Sequence, residues 1–188
     1  MAISLDFHHD SQSRIAESRD PEGEPPMSPG PAGAHIAGYC VEFRLRTREN
    51  GTRVLLAHDP DGVAAAIATI VAADLVQTAT ALVRDRPGYE PGGRPDHGLK
   101  ITADKAAEVG ALAYYGPGGE DYGPGAWVTY SDEPQAPHLR LYRDMDTEST
   151  FPPDAHIALS TLARAVEDFR ATGGLRPSGC MWRPSTVW

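Results

Sequence analysis

Tyr39-Cys40-Val41-Glu42-Phe43-Arg44-Leu45-Arg46, followed by Asn50-Gly51, by Thr52 to Ala57 and by Asp59-Pro60, is the stretch that decides the fold. Val41, Phe43 and Leu45 alternate with Cys40, Glu42, Arg44 and Arg46 at the period of a half-buried strand. Asn-Gly is the strongest short hairpin signal, because both residues tolerate positive φ, so Thr52 to Ala57 is expected to pair back on that strand. Asp59 is then a helix N-cap with proline at the first helical position. Val63, Ile67, Ile70 and Val71 form an apolar stripe that continues to Leu75.

Toward the C-terminus the period stays short. Thr78 to Val83, Leu99 to Ala103, Gly110 to Tyr115, Ala126 to Tyr130 and Leu139 to Tyr142 read as strands of an antiparallel meander, separated by Gly, Pro and Asp. Leu162, Val166 and Phe169 return to helical spacing. Ser160 is the expected N-cap of this last helix, with Asp154 as the alternative two turns earlier. Thr172-Gly173-Gly174 offers a residue for positive φ past its end, Pro177 forbids re-entry, and Gly179 to Arg183 is a short strand that can close the sheet. The fold class is α+β, a mostly antiparallel twisted sheet of about six to eight short strands with two helices packed on one face. The other face must find cover or a partner. Alternation sends Tyr114 and Tyr115 to opposite faces, so Tyr114, Tyr115, Trp127 and Tyr130 divide between core rings and exposed anchors.

The chain has 188 residues and a formal charge of −9, from 26 acids against 17 bases. That is one ordinary domain plus a tail, and the charge argues against a nucleic-acid backbone as partner while allowing a basic protein. Residues 1 to 38, with Pro21, Pro25, Pro26, Pro29 and Pro31 among Ser, Glu and Gly, read as a disordered leader, and 39 to 188 as a single domain. A partner-binding arm, or a true start at Met27, are the other readings of the leader. His8, His9 and Asp10 are assigned nothing. Cys40 and Cys180 sit in apolar contexts, where buried thiols are commoner than a bridge, which is the cytosolic pattern. No run reaches the about 20 apolar residues of a membrane span and the first residues lack a secretion signal, so the expected location is the cytoplasm.

Phe169-Arg170-Ala171-Thr172-Gly173-Gly174-Leu175-Arg176-Pro177, with Met181-Trp182 beyond it, carries a further reading. Before it come Pro95-Asp96-His97-x-Leu99, Val109-Gly110-Ala111-Leu112-x-Tyr114, Trp127 and Phe151-Pro152 in order. Together these strings resemble the pattern of an immunity-protein family (family one) of bacterial polymorphic toxin systems, over roughly residues 39 to 183. The family is common in actinobacteria and usually neighbours deaminase toxins. Two lysines against fifteen arginines, with abundant Ala, Gly and Pro, fit a GC-rich host. The resemblance implies a cytoplasmic, non-enzymatic antitoxin that binds one toxin domain, a DNA or RNA deaminase, and blocks its active-site groove. A monomer forming a one-to-one complex is the default expectation, without cofactor, and charge and hydropathy leave neither nucleic acid nor membrane as partner.

Catalytic motifs are thin. A zinc deaminase needs His-x-Glu and Pro-Cys-x-x-Cys, but His97 precedes Gly98-Leu99 and Cys180 has no second cysteine nearby. Gly116-Pro117-Gly118-Gly119 and Gly123-Pro124-Gly125 lack the lysine and hydroxyl of a phosphate loop. Asp144-x-Asp146-x-Glu148 opens like a calcium loop, yet Ser149 stands where glycine is needed. No catalytic or metal residue is assigned, and His58, His97, His138 and His156 read as surface or hydrogen-bonded residues. What remains is an acidic surface: residues 116 to 170 hold ten acids against four bases, so charge gathers on the second half of the chain. The candidate toxin interface is Glu120, Asp121, Tyr122, Trp127, Tyr130, Asp132, Glu133, Asp144, Asp146 and Glu148, rings as anchors and carboxylates as rim, with Asp154 beside them. The alternative function is a small-ligand binding or regulatory α+β domain with a pocket between sheet and helices. A hydrolase using Asp144 and Asp146 comes third.

Overall fold

The computed structural model describes residues 38–86, 95–117 and 125–186. They belong to the second of two units into which the chain divides, Ile36–Trp188. The leader, the Pro/Gly-rich loop after Arg86 and most of the glycine-rich loop before Gly125 lie outside the described residues.

β1 (Val41–Thr47) and β2 (Gly51–Ala57) form the expected hairpin, in register from Val41 opposite Ala57 to Thr47 opposite Gly51. Gly51 takes φ +63°, which explains the glycine of Asn-Gly. α1 (Pro60–Ala72) starts as its sequence dictates, the Asp59 carboxylate accepting the Gly62 N–H at 2.7 Å. Val63, Ala66, Ile67 and Ile70 are its buried stripe.

β3 (Leu75–Val83), β4 (Gly98–Asp104), β5 (Val109–Gly116), β6 (Gly125–Tyr130) and β10 (Met181–Ser185) complete an antiparallel sheet of order β10-β6-β5-β4-β3-β1-β2. Residues directly opposite across strands share a face. One face carries Val41, Phe43, Leu45, Leu99, Ile101, Leu112, Tyr114 and Trp127, and is roofed by α1 and by α2 (Leu159–Ala171) through Leu162, Ala165, Val166 and Phe169. Both helices lie on one face, as their stripes require.

The second face is covered from within the chain over β5 and β6. Val109, Ala111, Ala113 and Val128 meet Leu141, Phe151 and Ala155 of the segment after β6. The expected meander strand at Leu139 to Tyr142 is not part of the sheet. β7 (Tyr142–Asp144) pairs instead with β8 (Ser149–Thr150), and this small hairpin lies on β3 and β4, with Thr78 Oγ1 donating to Tyr142 O at 3.2 Å. Leu141 and Phe151 bury as a pair beneath it, which alternation along one segment could not disclose.

Ser160 is not the N-cap either. β9 (Ile157–Ala158) pairs with the start of β5, Leu159 N–H donates to Glu108 O, and Ala158 is the cap residue with no side-chain bond. Strand pairing thus sets the helix start. β5 is shared between β9 at its start and β6 at its end, and between them the buried Thr129 hydroxyl accepts Leu112 N–H at 3.1 Å and donates to Ala155 O at 2.7 Å. At the other end of α2, Gly173 N–H reaches Arg170 O and Gly174 N–H reaches Phe169 O, with φ +69° and +88°. That double bond is the Schellman ending that Thr-Gly-Gly announces.

Candidate functional site

Part of the family-like strings, His97, Tyr114, Trp127, Phe169 and Trp182, gathers at this ending, whereas Val109 and Phe151 lie on the second face. Tyr114 is fully buried with its ring among Trp127, Phe169 and Trp182, at centroid distances of 5.7, 6.3 and 6.1 Å. Its hydroxyl is shared between Pro117 O at 2.9 Å and Gly174 O at 3.1 Å. Arg176 lies 4.7 Å over the Trp127 ring and Trp182 Nε1–H donates to Pro177 O. Trp127, 7% exposed, is therefore a core ring with little surface to offer a partner.

His97 completes this lock. Val83 N–H donates to His97 Nε2 at 2.9 Å, so the proton sits on Nδ1 and is given to Asp96 at 2.8 Å. Arg86 bonds Asp96 and reaches back to the carbonyls of Gly173 and Gly174. The arrangement resembles a carboxylate-oriented catalytic imidazole, but the nitrogen that would take a proton is closed by main chain. Pro-Asp-His-x-Leu ties β3, β4 and the exit of α2 together.

Burial drives the His97 pKa below its ordinary value, against the pull of Asp96. Burial tends to raise Asp96, but the bond from His97 and the Arg86 guanidinium outweigh it and hold the carboxyl low. Both groups bind protons more weakly when folded. The His97 contribution to stability is complete above an unfolded pKa of about 6.5 and is lost as pH falls below it; that of Asp96 is lost only below about 4. Urea melts from pH 8 to pH 4 are expected to show the midpoint declining from about pH 6.5 downward. In His97→Gln that slope flattens, and an unchanged slope would remove His97 as its source.

The carboxylates form two exposed groups. Asp132 and Glu133 follow β6, Asp132 accepting the hydroxyl of the half-buried Tyr130. Asp146 and Glu148 project from the β7–β8 hairpin, Asp146 accepting from Gln77 at 3.1 Å. Asp144 has an internal task, its Oδ1 accepting Asp146 N–H at 3.0 Å and Thr147 N–H at 3.1 Å. The Thr147 bond holds the carboxyl below its ordinary pKa, an arrangement unsuited to a general acid. Asp154 pairs with Arg183. Glu120, Asp121 and Tyr122 lie outside the described residues.

Sequence reading missed the cleft beside the first group. It encloses about 300 Å³ and is lined by Tyr130, Glu133, His156, Thr161, Cys180 and Met181 among others, with Met181 50% exposed at its rim. Burial pushes the Cys180 thiol up to about 12, so it offers no thiolate. His156 Nδ1–H donates to Ala136 O, an alanine at φ +46°, while His156 Nε2 and Asp154 Oδ1 are buried without a hydrogen-bond partner. His156 lines this cleft, whereas Asp154 does not. Exposure of Met181 was the one signal in reach, since Met181-Trp182 alternates in a short strand. A second cleft of about 580 Å³, between the β1–β2 turn and the end of α1, is open and lined by Glu49, Asn50, Arg53, Thr69 and Asp74 among others. Each is bordered by a helix as well as by strands, the first by Thr161 and Arg164 of α2, the second by Ala68, Thr69 and Ala72 of α1.

No helix among the described residues is long and apolar enough to cross a membrane. No group of three or more metal-ligating side chains occurs among the described residues. No curated protein matches the chain. The family model described as Immunity protein Imm1 matches residues 51–184, from β2 through β10 and so across the whole lock. With most of its length matched, the chain belongs to the Imm1 family of immunity proteins.

Proposed function

We propose that this immunity protein neutralises a nucleic-acid deaminase toxin in the cytoplasm by occupying its substrate groove, one toxin domain per chain, without catalysis of its own. The observation that carries the reading is the exposed acidic rim of Asp132, Glu133, Asp146 and Glu148, apart from the buried cluster around Tyr114 and His97. A toxin acting on nucleic acid presents a basic groove, and a rim of opposite charge is steered toward it while competing with the phosphates. Tyr130 and Met181, flanking the cleft, supply the apolar contact that charge alone lacks. Trp127 leaves the interface because its ring belongs to the core.

The test is co-expression with the C-terminal domain of the toxin encoded beside this gene, scoring survival, co-purification and base changes in the host genome. Survival, a stable complex and suppressed base changes support the reading. Death despite soluble immunity protein rejects the pairing, and survival with a toxin that produces no base changes rejects the deaminase.

A further inference from the structure

We propose that β2 is the seam of a symmetric dimer, in which two copies of the chain join their β2 edges antiparallel about Leu55. β2 ends the sheet, and among the described residues no element pairs with its free edge. A long regular edge is ordinarily blunted by proline, charge or cover. The opposite edge follows that rule, since β10 contains Pro184 and Arg183. β2 carries no proline and a single charge, Arg53, yet it exposes Val54 at 53% and Leu56 at 49%.

The strand is complementary to itself in this register. With Leu55 opposite Leu55 of the second copy, Val54 faces Leu56 of the second copy on the outer side of the sheet, and the reverse pair repeats it. The two exposed apolar residues thereby cover each other. On the helix side Arg53 faces Ala57 of the second copy, and Asp59 of the second copy is the diagonal neighbour, within reach of an arginine across paired strands. Asp59 accepts one N–H at the α1 cap through Oδ1, leaving acceptor capacity for a guanidinium. A parallel join would instead set Arg53 beside Arg53. α1, packed on β2, exposes Ala64, Ala65, Ala68 and Ala72, so no bulky or charged side chain of those positions obstructs the approach.

A seven-residue strand spans about 24 Å, which gives an interface at the small end of the range and so a concentration-dependent dimer. This departs from the monomer expected by default and is independent of the toxin's identity. Sedimentation velocity of the full chain over a concentration series is expected to show a monomer–dimer equilibrium, and Val54→Lys to weaken it at least tenfold. The circular dichroism and melting of Val54→Lys should match the parent, since Val54 is exposed. Leu55→Cys in a Cys180→Ser background is expected to form a disulfide-linked dimer on mild oxidation, whereas Met181→Cys in the same background is not. A monomer at every concentration, a dimer indifferent to Val54→Lys, or equal cross-linking at both edges would overturn the proposal. Toxin binding weakened by Val54→Lys in a chain that stays monomeric would overturn it too, and assign the edge to the toxin.

Discussion

Gly110→Ala is expected to cost about 3 kcal/mol and to lower the melting temperature by roughly 10 °C, and Gly110→Val to leave no cooperatively folded protein. A Cβ at this position would stand 2.4 Å from Leu162 Cδ1 and 2.7 Å from Thr102 O. The first contact is with a side chain that can rotate; the second is with the backbone of the paired strand β4, which cannot yield without breaking its ladder. The glycine of Val-Gly-Ala-Leu therefore records the close approach of Leu162 and of the β4 backbone, and not backbone freedom. Thermal melts of Gly110→Ala alone and with Leu162→Ala separate the two contacts. The double variant should remain less stable than Leu162→Ala alone, because the carbonyl clash persists. If instead Gly110→Ala becomes neutral in that background, the backbone contact has no cost and the sheet is softer than its register implies.

The elements legible in the sequence are those with local causes. The Asn50-Gly51 turn, the Asp59-Pro60 helix start and the Thr172-Gly173-Gly174 ending each state their φ requirement or their cap in two or three residues, and each occurs where it was expected. What failed depended on distant partners. Ser160 looked like a cap, yet the start of α2 is fixed by β9 pairing with β5, forty-odd residues away in sequence. Leu139 to Tyr142 alternated like a strand, but the burial of Leu141 with Phe151 turned the segment into a cover for the second face.

The site shows the same division. The exposure of Asp132, Glu133, Asp146 and Glu148 follows from their loop positions, while their contact with a toxin is a proposal. Whether a ring is core or anchor depends on which face of a strand the helices cover. That decides Trp127 for the core beside Tyr114 and leaves Tyr130 half-buried at the rim. The cleft beside Met181 joins three segments separate in sequence, and periodicity could not assemble it. The family match over residues 51–184 carries a role and names no contact.

Reversing Asp132, Glu133, Asp146 and Glu148 to lysine is expected to slow association with the toxin by about 10–100-fold at low salt. Dissociation should change by only a few-fold, because exposed charges act mainly on encounter. All four side chains are exposed, so folding should survive the change. Asp144 is left in place because it holds the turn through Asp146 and Thr147, and its replacement would confound charge with hairpin geometry. The rate difference from the parent should shrink as salt rises toward about 0.5 M, where charges more than a few ångströms apart are screened. Net charge alone could mimic this result, so Glu49→Lys with Asp61→Lys, near the β1–β2 turn and the start of α1, is compared with Asp132→Lys with Glu133→Lys. If the two double variants slow binding equally, the whole acidic protein steers and the rim is not special. If only the second does, the toxin approaches the face that carries Tyr130 and Met181. If none of the variants changes the association rate or its salt dependence, electrostatic steering is wrong, and the interface must rest on an uncharged surface such as the Val54 and Leu56 edge.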